Sequence, residues 1–135
     1  MRHLTSLMIV FLFTLAACYR ETSSGPTDPI VHSDHNQFVG MFALIPEDPV
    51  VGANTIMLEL TTPAGRVVSG AELDVVEWMP AMGHGSNGSP NTRESTEGTY
   101  SIAGLVYSMP GTWEVQITAH WDHISDRLVI PLEVH

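Results

Sequence analysis

Trp113-Glu114-Val115-Gln116-Ile117-Thr118-Ala119 alternates apolar and polar residues without a break. A period of two places Trp113, Val115, Ile117 and Ala119 on one face of an extended chain, which is the signature of a half-buried β-strand. Residues 127–134 repeat the pattern with Leu128, Ile130, Leu132 and Val134, and residues 55–60 do so with Ile56, Leu58 and Leu60. Further strands are expected at 38–45, 71–77 and 99–107, with a weaker one at 91–96. Between them lie Pro46-Glu47-Asp48-Pro49, Pro63-Ala64-Gly65, Ser86-Asn87-Gly88-Ser89-Pro90, Glu97-Gly98 and Met109-Pro110-Gly111, each with turn chemistry.

About seven short strands in about a hundred residues, with no helical period, predict an all-β fold: a single antiparallel immunoglobulin-like β-sandwich. Pro131 places the last strand at a sheet edge, where a missing N–H does no harm. If the strands alternate in direction, the turns after the third and fifth strands share one pole. The turn at 120–123 then falls at the other.

Upstream of the strands the chain changes character. Met1-Arg2-His3 is a short basic start, residues 7–15 are mostly apolar, and Leu15-Ala16-Ala17-Cys18 ends the run. A stretch this short suits the core of a signal peptide better than a spanning helix. Leu-Ala-Ala-Cys resembles the bacterial lipobox, which implies cleavage before Cys18 and lipid on that residue. The expected organisation is therefore a signal peptide at 1–17, a flexible tether at 18–36 and a folded domain at 37–135. This implies an extracytoplasmic protein, anchored to a bacterial membrane through Cys18. Cys18 is the sole cysteine, so no intrachain disulfide, CxxC pair or Cys-ligated zinc site can form.

Without the signal, four Arg and no Lys face fifteen acids. Such a surface repels nucleic acid and attracts cations and basic proteins. No Gly-x-Ser-x-Gly elbow, His-Glu-x-x-His helix or phosphate-cradling loop occurs, so the chain is not expected to be an enzyme. Glu77 is expected on the solvent face of its strand.

The chemistry-bearing segment is Trp78-Met79-Pro80-Ala81-Met82-Gly83-His84-Gly85, too rich in Gly and Pro for an ordinary strand. It puts two thioethers and an imidazole within six residues. Thioethers select Cu(I), and imidazole accepts either copper oxidation state. Met109 joins by strand parity, so that three of the five methionines beyond the signal share this pole. The same residues also read as core filler and exposed loop. A second, weaker cluster is His120-Trp121-Asp122-His123 with His32 and His35, a donor set closer to Cu(II) or zinc. Solvated turn histidines are the competing reading of that cluster.

Three segments carry a family resemblance: residues 78–85; Glu97-Gly98-Thr99-Tyr100; and Met109-Pro110-Gly111-Thr112-Trp113-Glu114-Val115. They resemble the YtkA-like domain, which is related to FixH, over about residues 54–119. The resemblance implies a membrane-attached, extracytoplasmic immunoglobulin-like β-domain associated with copper handling and with assembly of haem-copper respiratory oxidases, and the thioether donors favour Cu(I), with Cu(II) as the secondary state. It implies Met79, Met82, His84 and Met109 as ligands, with an oxidase or a copper-transfer protein as partner. FixH proteins carry a transmembrane anchor, whereas lipid is expected here. A metal-free interaction module docking on a membrane complex is the alternative, since Met-rich surfaces are adaptable.

Overall fold

The computed structural model describes residues 29–135. The expected signal peptide, the lipid-bearing Cys18 and most of the expected tether lie outside the described residues. Within them the elements are all strands: β1 (Ile30–His32), β2 (Val39–Ile45), β3 (Gly52–Thr61), β4 (Glu72–Met79), β5 (His84–Gly85), β6 (Asn91–Thr96), β7 (Thr99–Tyr107), β8 (Gly111–Trp121) and β9 (Ile124–Val134).

The strands form two antiparallel sheets, one ordered β1-β2-β3-β7-β6 and the other β5-β4-β8-β9. Setting aside the short β1 and β5, the seven remaining strands are those the alternation predicts. Their partition, four against three, is that of an immunoglobulin constant-type sandwich. β9, which carries Pro131, is an edge strand.

The inward phases close on each other as a core. Trp113, Val115, Ile117 and Ala119 of β8 meet Leu128 and Ile130 of β9 and, from the opposite sheet, Ile56, Leu58 and Ile102, all buried. Tyr100 ties in the long connection at 62–71, its hydroxyl donating to Val68 O (2.8 Å) and accepting from Ala71 N (2.9 Å). Over the same connection, Trp121 donates its indole N–H to Ser69 O (2.9 Å) and lies 4.4 Å beneath the Arg66 guanidinium.

Three expectations are corrected. Residues 30–36 belong to the fold rather than to a tether: β1 pairs with β2 from Ile30↔Met41 to His32↔Val39. The following turn is pinned by Asp126, which accepts from the backbone N–H groups of His35 and Gln37. Second, residues 78–85 are a β-hairpin, with β4 running on through Met79 and β5 returning as His84–Gly85. Pro80, which lacks an N–H, follows the last ladder residue, and Gly83 closes the turn at φ 65°. Third, only residues 122–123 of the expected turn at 120–123 are turn, and His120 and Trp121 belong to β8. Trp121 pairs with Ile124, leaving a two-residue turn in which Asp122 takes φ 55°.

Candidate metal centre

The register gathers one set of connections at one pole. The β4–β5 turn at 80–83 lies there with the β7–β8 turn at 108–110, the β2–β3 connection and the C-terminus. Gly52 pairs with Tyr107, Gly111 pairs with Val134, and Val51 N donates to His135 O. Met79, Met82, His84 and Met109 all belong to this pole. His32, His35, His120 and His123 lie toward the opposite one.

Met79 and His84 are directly paired across the hairpin. Opposed residues on antiparallel strands project to the same face, and both face inward. Met79 is buried, and the His84 ring meets the buried Trp113 edge-on at 6.2 Å between centroids. Trp113 donates its indole N–H to Met109 O (3.1 Å), and Met109 is half-buried against the core. The Met79 methyl also reaches the β7–β8 turn, since a Cβ on Gly111 would sit 2.8 Å from it. Met82 differs from the others: it caps the hairpin and is 57% exposed. Its backbone N–H donates to Met79 O (3.1 Å), as does that of Gly83 (2.9 Å).

The protonation of His84 follows from its contact with Gly85 O at 2.9 Å. A carbonyl only accepts, so Nδ1 carries the hydrogen, and in the neutral ring Nε2 keeps its lone pair. A histidine so held offers one nitrogen to a ligand in a fixed tautomer.

Behind the hairpin lies a residue expected on the solvent face. Glu77 is 4% exposed and points inward. Its carboxylate accepts from Ser86 Oγ, just past β5, and from Val106 N of β7 in the opposite sheet. Burial pushes its carboxyl above the usual carboxylate range, against the two hydrogen bonds. Nearby, the buried Tyr107 hydroxyl has no hydrogen-bond partner among the described residues, and its ring lies 5.3 Å from that of Trp113 between centroids. Burial, and then the Glu77 charge, raise the Tyr107 phenol. One signal for Glu77 was present in the sequence, because it shares the parity of Leu73, Val75 and Met79.

The second histidine set is dispersed. His120 donates Nε2–H to Asp74 (3.1 Å) and accepts at Nδ1 from Ser125 Oγ (3.0 Å), so both ring nitrogens are engaged. This Ser–His–Asp line lies on an open strand surface, with the Asp74 side chain 71% exposed. His123 approaches its neighbour Asp122 (3.4 Å), and His32 bonds Asn36 (3.2 Å). His35 donates Nδ1–H to the buried Asp126 (2.9 Å). Among the described residues no three His, Cys, Asp or Glu side chains gather to hold a metal ion. Thioether donors fall outside that set, and the methionine pole is a separate matter.

A two-sheet antiparallel sandwich of immunoglobulin topology, with methionines and a histidine at one pole, defines a small β-domain. The chain belongs to the YtkA-like family, whose domain matches residues 35–118. Comparison with curated proteins returns no match. Among solved structures, the ZirS C-terminal domain is similar at 12% identity and a TM-score of 0.45, over 100% of this chain and 85% of that one. Likeness at that level carries no inference about function.

Proposed function

We propose that this YtkA-like chain is a lipid-anchored, extracytoplasmic accessory protein that binds copper at its methionine pole and passes it to a partner, a respiratory oxidase or a copper-transfer protein. The observation that carries this reading is the state of His84. Its Nδ1–H is spent on Gly85 O, its Nε2 has no hydrogen-bond partner among the described residues, and the Met79 side chain is its cross-strand neighbour.

The donor chemistry fits the metal. Thioethers with one imidazole are a soft set that favours Cu(I) over harder cations, with Cu(II) as the secondary state. His84 and Met109 each meet Trp113, the buried Met79 is the cross-strand neighbour of His84, and the exposed Met82 supplies a thioether that a partner's donors can compete with and replace. The acidic surface raises the local cation concentration. Binding and transfer is the proposed activity, and no catalysis is proposed.

The test is Cu(I) titration of the chain from Tyr19 onward against a chromogenic chelator. One equivalent is expected to bind. Replacing Met79, Met82 and Met109 by Leu and His84 by Asn, which nearly conserves volume, is expected to abolish it. Stoichiometric binding that survives those substitutions overturns the assignment.

A second reading has its own observation. Ile45, Val50, Val51 and Val106 are exposed at the same pole as Met82, an apolar rim on which a metal-free interaction module could seat a membrane complex. Co-purification with such a complex, without copper binding, favours it.

A further inference from the structure

The hairpin that presents His84 is too short to hold itself. β5 contributes two residues, paired as Met79↔His84 and Trp78↔Gly85. So small a ladder is at best marginal. The chain then leaves the sheet at Ser86 and crosses toward β6. Something else must fix the position of the returning strand.

The Glu77 carboxylate lies where that is done. One oxygen accepts from Ser86 Oγ and the other from Val106 N, so the group joins β4, the segment after β5 and the facing sheet. Ser86 Oγ also accepts from Gly88 N (2.9 Å), which folds 86–88 back over the carboxylate. The fit leaves no room. A Cβ on Gly88 would run into the Glu77 carboxylate and lie 3.0 Å from Gly104 O, and one on Gly85 would lie 3.0 Å from Glu77 O. A buried carboxylate is a poor way to stabilise a sandwich, because losing its hydration opposes what its partners return. It is a good way to hold three segments in one geometry.

We propose that Glu77 is a positioning residue for the copper site, its carboxylate clamping the 84–88 segment through Ser86 so that His84 keeps its Nδ1–H on Gly85 O and its Nε2 free for metal. Glu77 does not ligate. It acts through Ser86 and the backbone, as outer partners orient a metal-binding histidine elsewhere. This rests on the reading of His84 as a copper donor, but the tautomer of His84 can be observed without copper.

The experiment compares wild type, Glu77→Gln, Ser86→Ala and Ser86→Thr in the chain from Tyr19 onward, with melting curves to establish that each is folded. Ring nitrogen chemical shifts report the His84 tautomer in the metal-free protein, at a pH where histidine is neutral. Chelator competition reports Cu(I) affinity. Glu77→Gln and Ser86→Ala are expected to mix the tautomers and to weaken Cu(I) binding by about tenfold to a hundredfold. Ser86→Thr, which keeps a hydroxyl, is expected to restore both. If Glu77→Gln does not fold, Ser86→Ala decides. A folded Ser86→Ala protein with wild-type tautomer and affinity overturns the clamp, as does a lowered melting point with neither property changed. Should wild type bind no copper, the proposed function falls, and a tautomer shift in Ser86→Ala still upholds the positioning of His84.

Discussion

Met79 and His84 face each other across the β4–β5 hairpin, one side chain buried in the core and the other stacked edge-on to Trp113. A single pair thus joins the packing of the sandwich to the chemistry at its pole. The methionines around it should therefore respond differently to the same change.

Met79→Ala is expected to destabilise the domain by about 2–4 kcal/mol, as for other methionines removed from a core. Met82→Ala, at the exposed tip, should stay within about 0.5 kcal/mol of wild type. Both should weaken Cu(I) binding. Urea unfolding beside copper titration separates the two roles, and equal stability losses would contradict the burial of Met79.

Gly111 sits at φ 130°, with the Met79 methyl 2.8 Å from where a Cβ would stand, whereas Gly65, at φ 80°, has open space around it. Gly65→Ala should cost only the backbone term, about 1–2 kcal/mol. Gly111→Ala should cost clearly more, because Met79 must also move. Double substitution with Met79→Ala should recover part of that excess, which denaturant midpoints will show.

The pH dependence of stability should be set partly by His35 and Asp126. Burial pushes the Asp126 carboxyl up, but hydrogen bonds from Ser33, His35 and Arg127 outweigh it and hold the group well below the usual carboxylate range. Its contribution is complete above the unfolded value of 3.8 and is lost as pH falls below it. The Asp126 hydrogen bond and charge raise the imidazole of His35 above 6.5. That contribution is complete below 6.5 and is lost as pH rises through the raised value. Melting temperature against pH should fall on both sides of the interval between them. Asp126→Asn should flatten the acid limb, and His35→Gln should remove the decline on the alkaline side.

His120→Ala and His123→Ala should leave copper stoichiometry unchanged, because the His120 nitrogens are engaged by Asp74 and Ser125 and, among the described residues, His123 pairs with its exposed neighbour Asp122. Their exposed ion pairs are worth little, and stability should shift by no more than about 0.5 kcal/mol. A loss of one copper equivalent in either variant would move the site to the other pole.

The sandwich was legible because its signal is local. Trp113, Val115 and Ile117 recur every second residue, and each strand declares its buried face without knowledge of its partner. Parity carried the reading further, since antiparallel order alone assigns 80–83 and 108–110 to one pole. Composition worked less well near the N-terminus. Ile30 and Val31 stand in a polar run and read as tether, yet they pair with β2. The Gly- and Pro-rich text of residues 78–85 likewise hid a hairpin whose two-residue return strand is too short to show a period.

By itself, then, the sequence determined the all-β class, seven of the nine strands among the described residues, the family, and which residue types could carry soft-metal chemistry. Only the tertiary structure decided which way those groups face and what occupies their polar atoms. Glu77 meets Val106 across 29 positions and His35 meets Asp126 across 91, while the free nitrogen of His84 depends on a bond to its own neighbour that only the folded hairpin permits. Periodicity follows from the geometry of one strand. Hydrogen-bond partnership depends on the packing of several, and no local pattern encodes it.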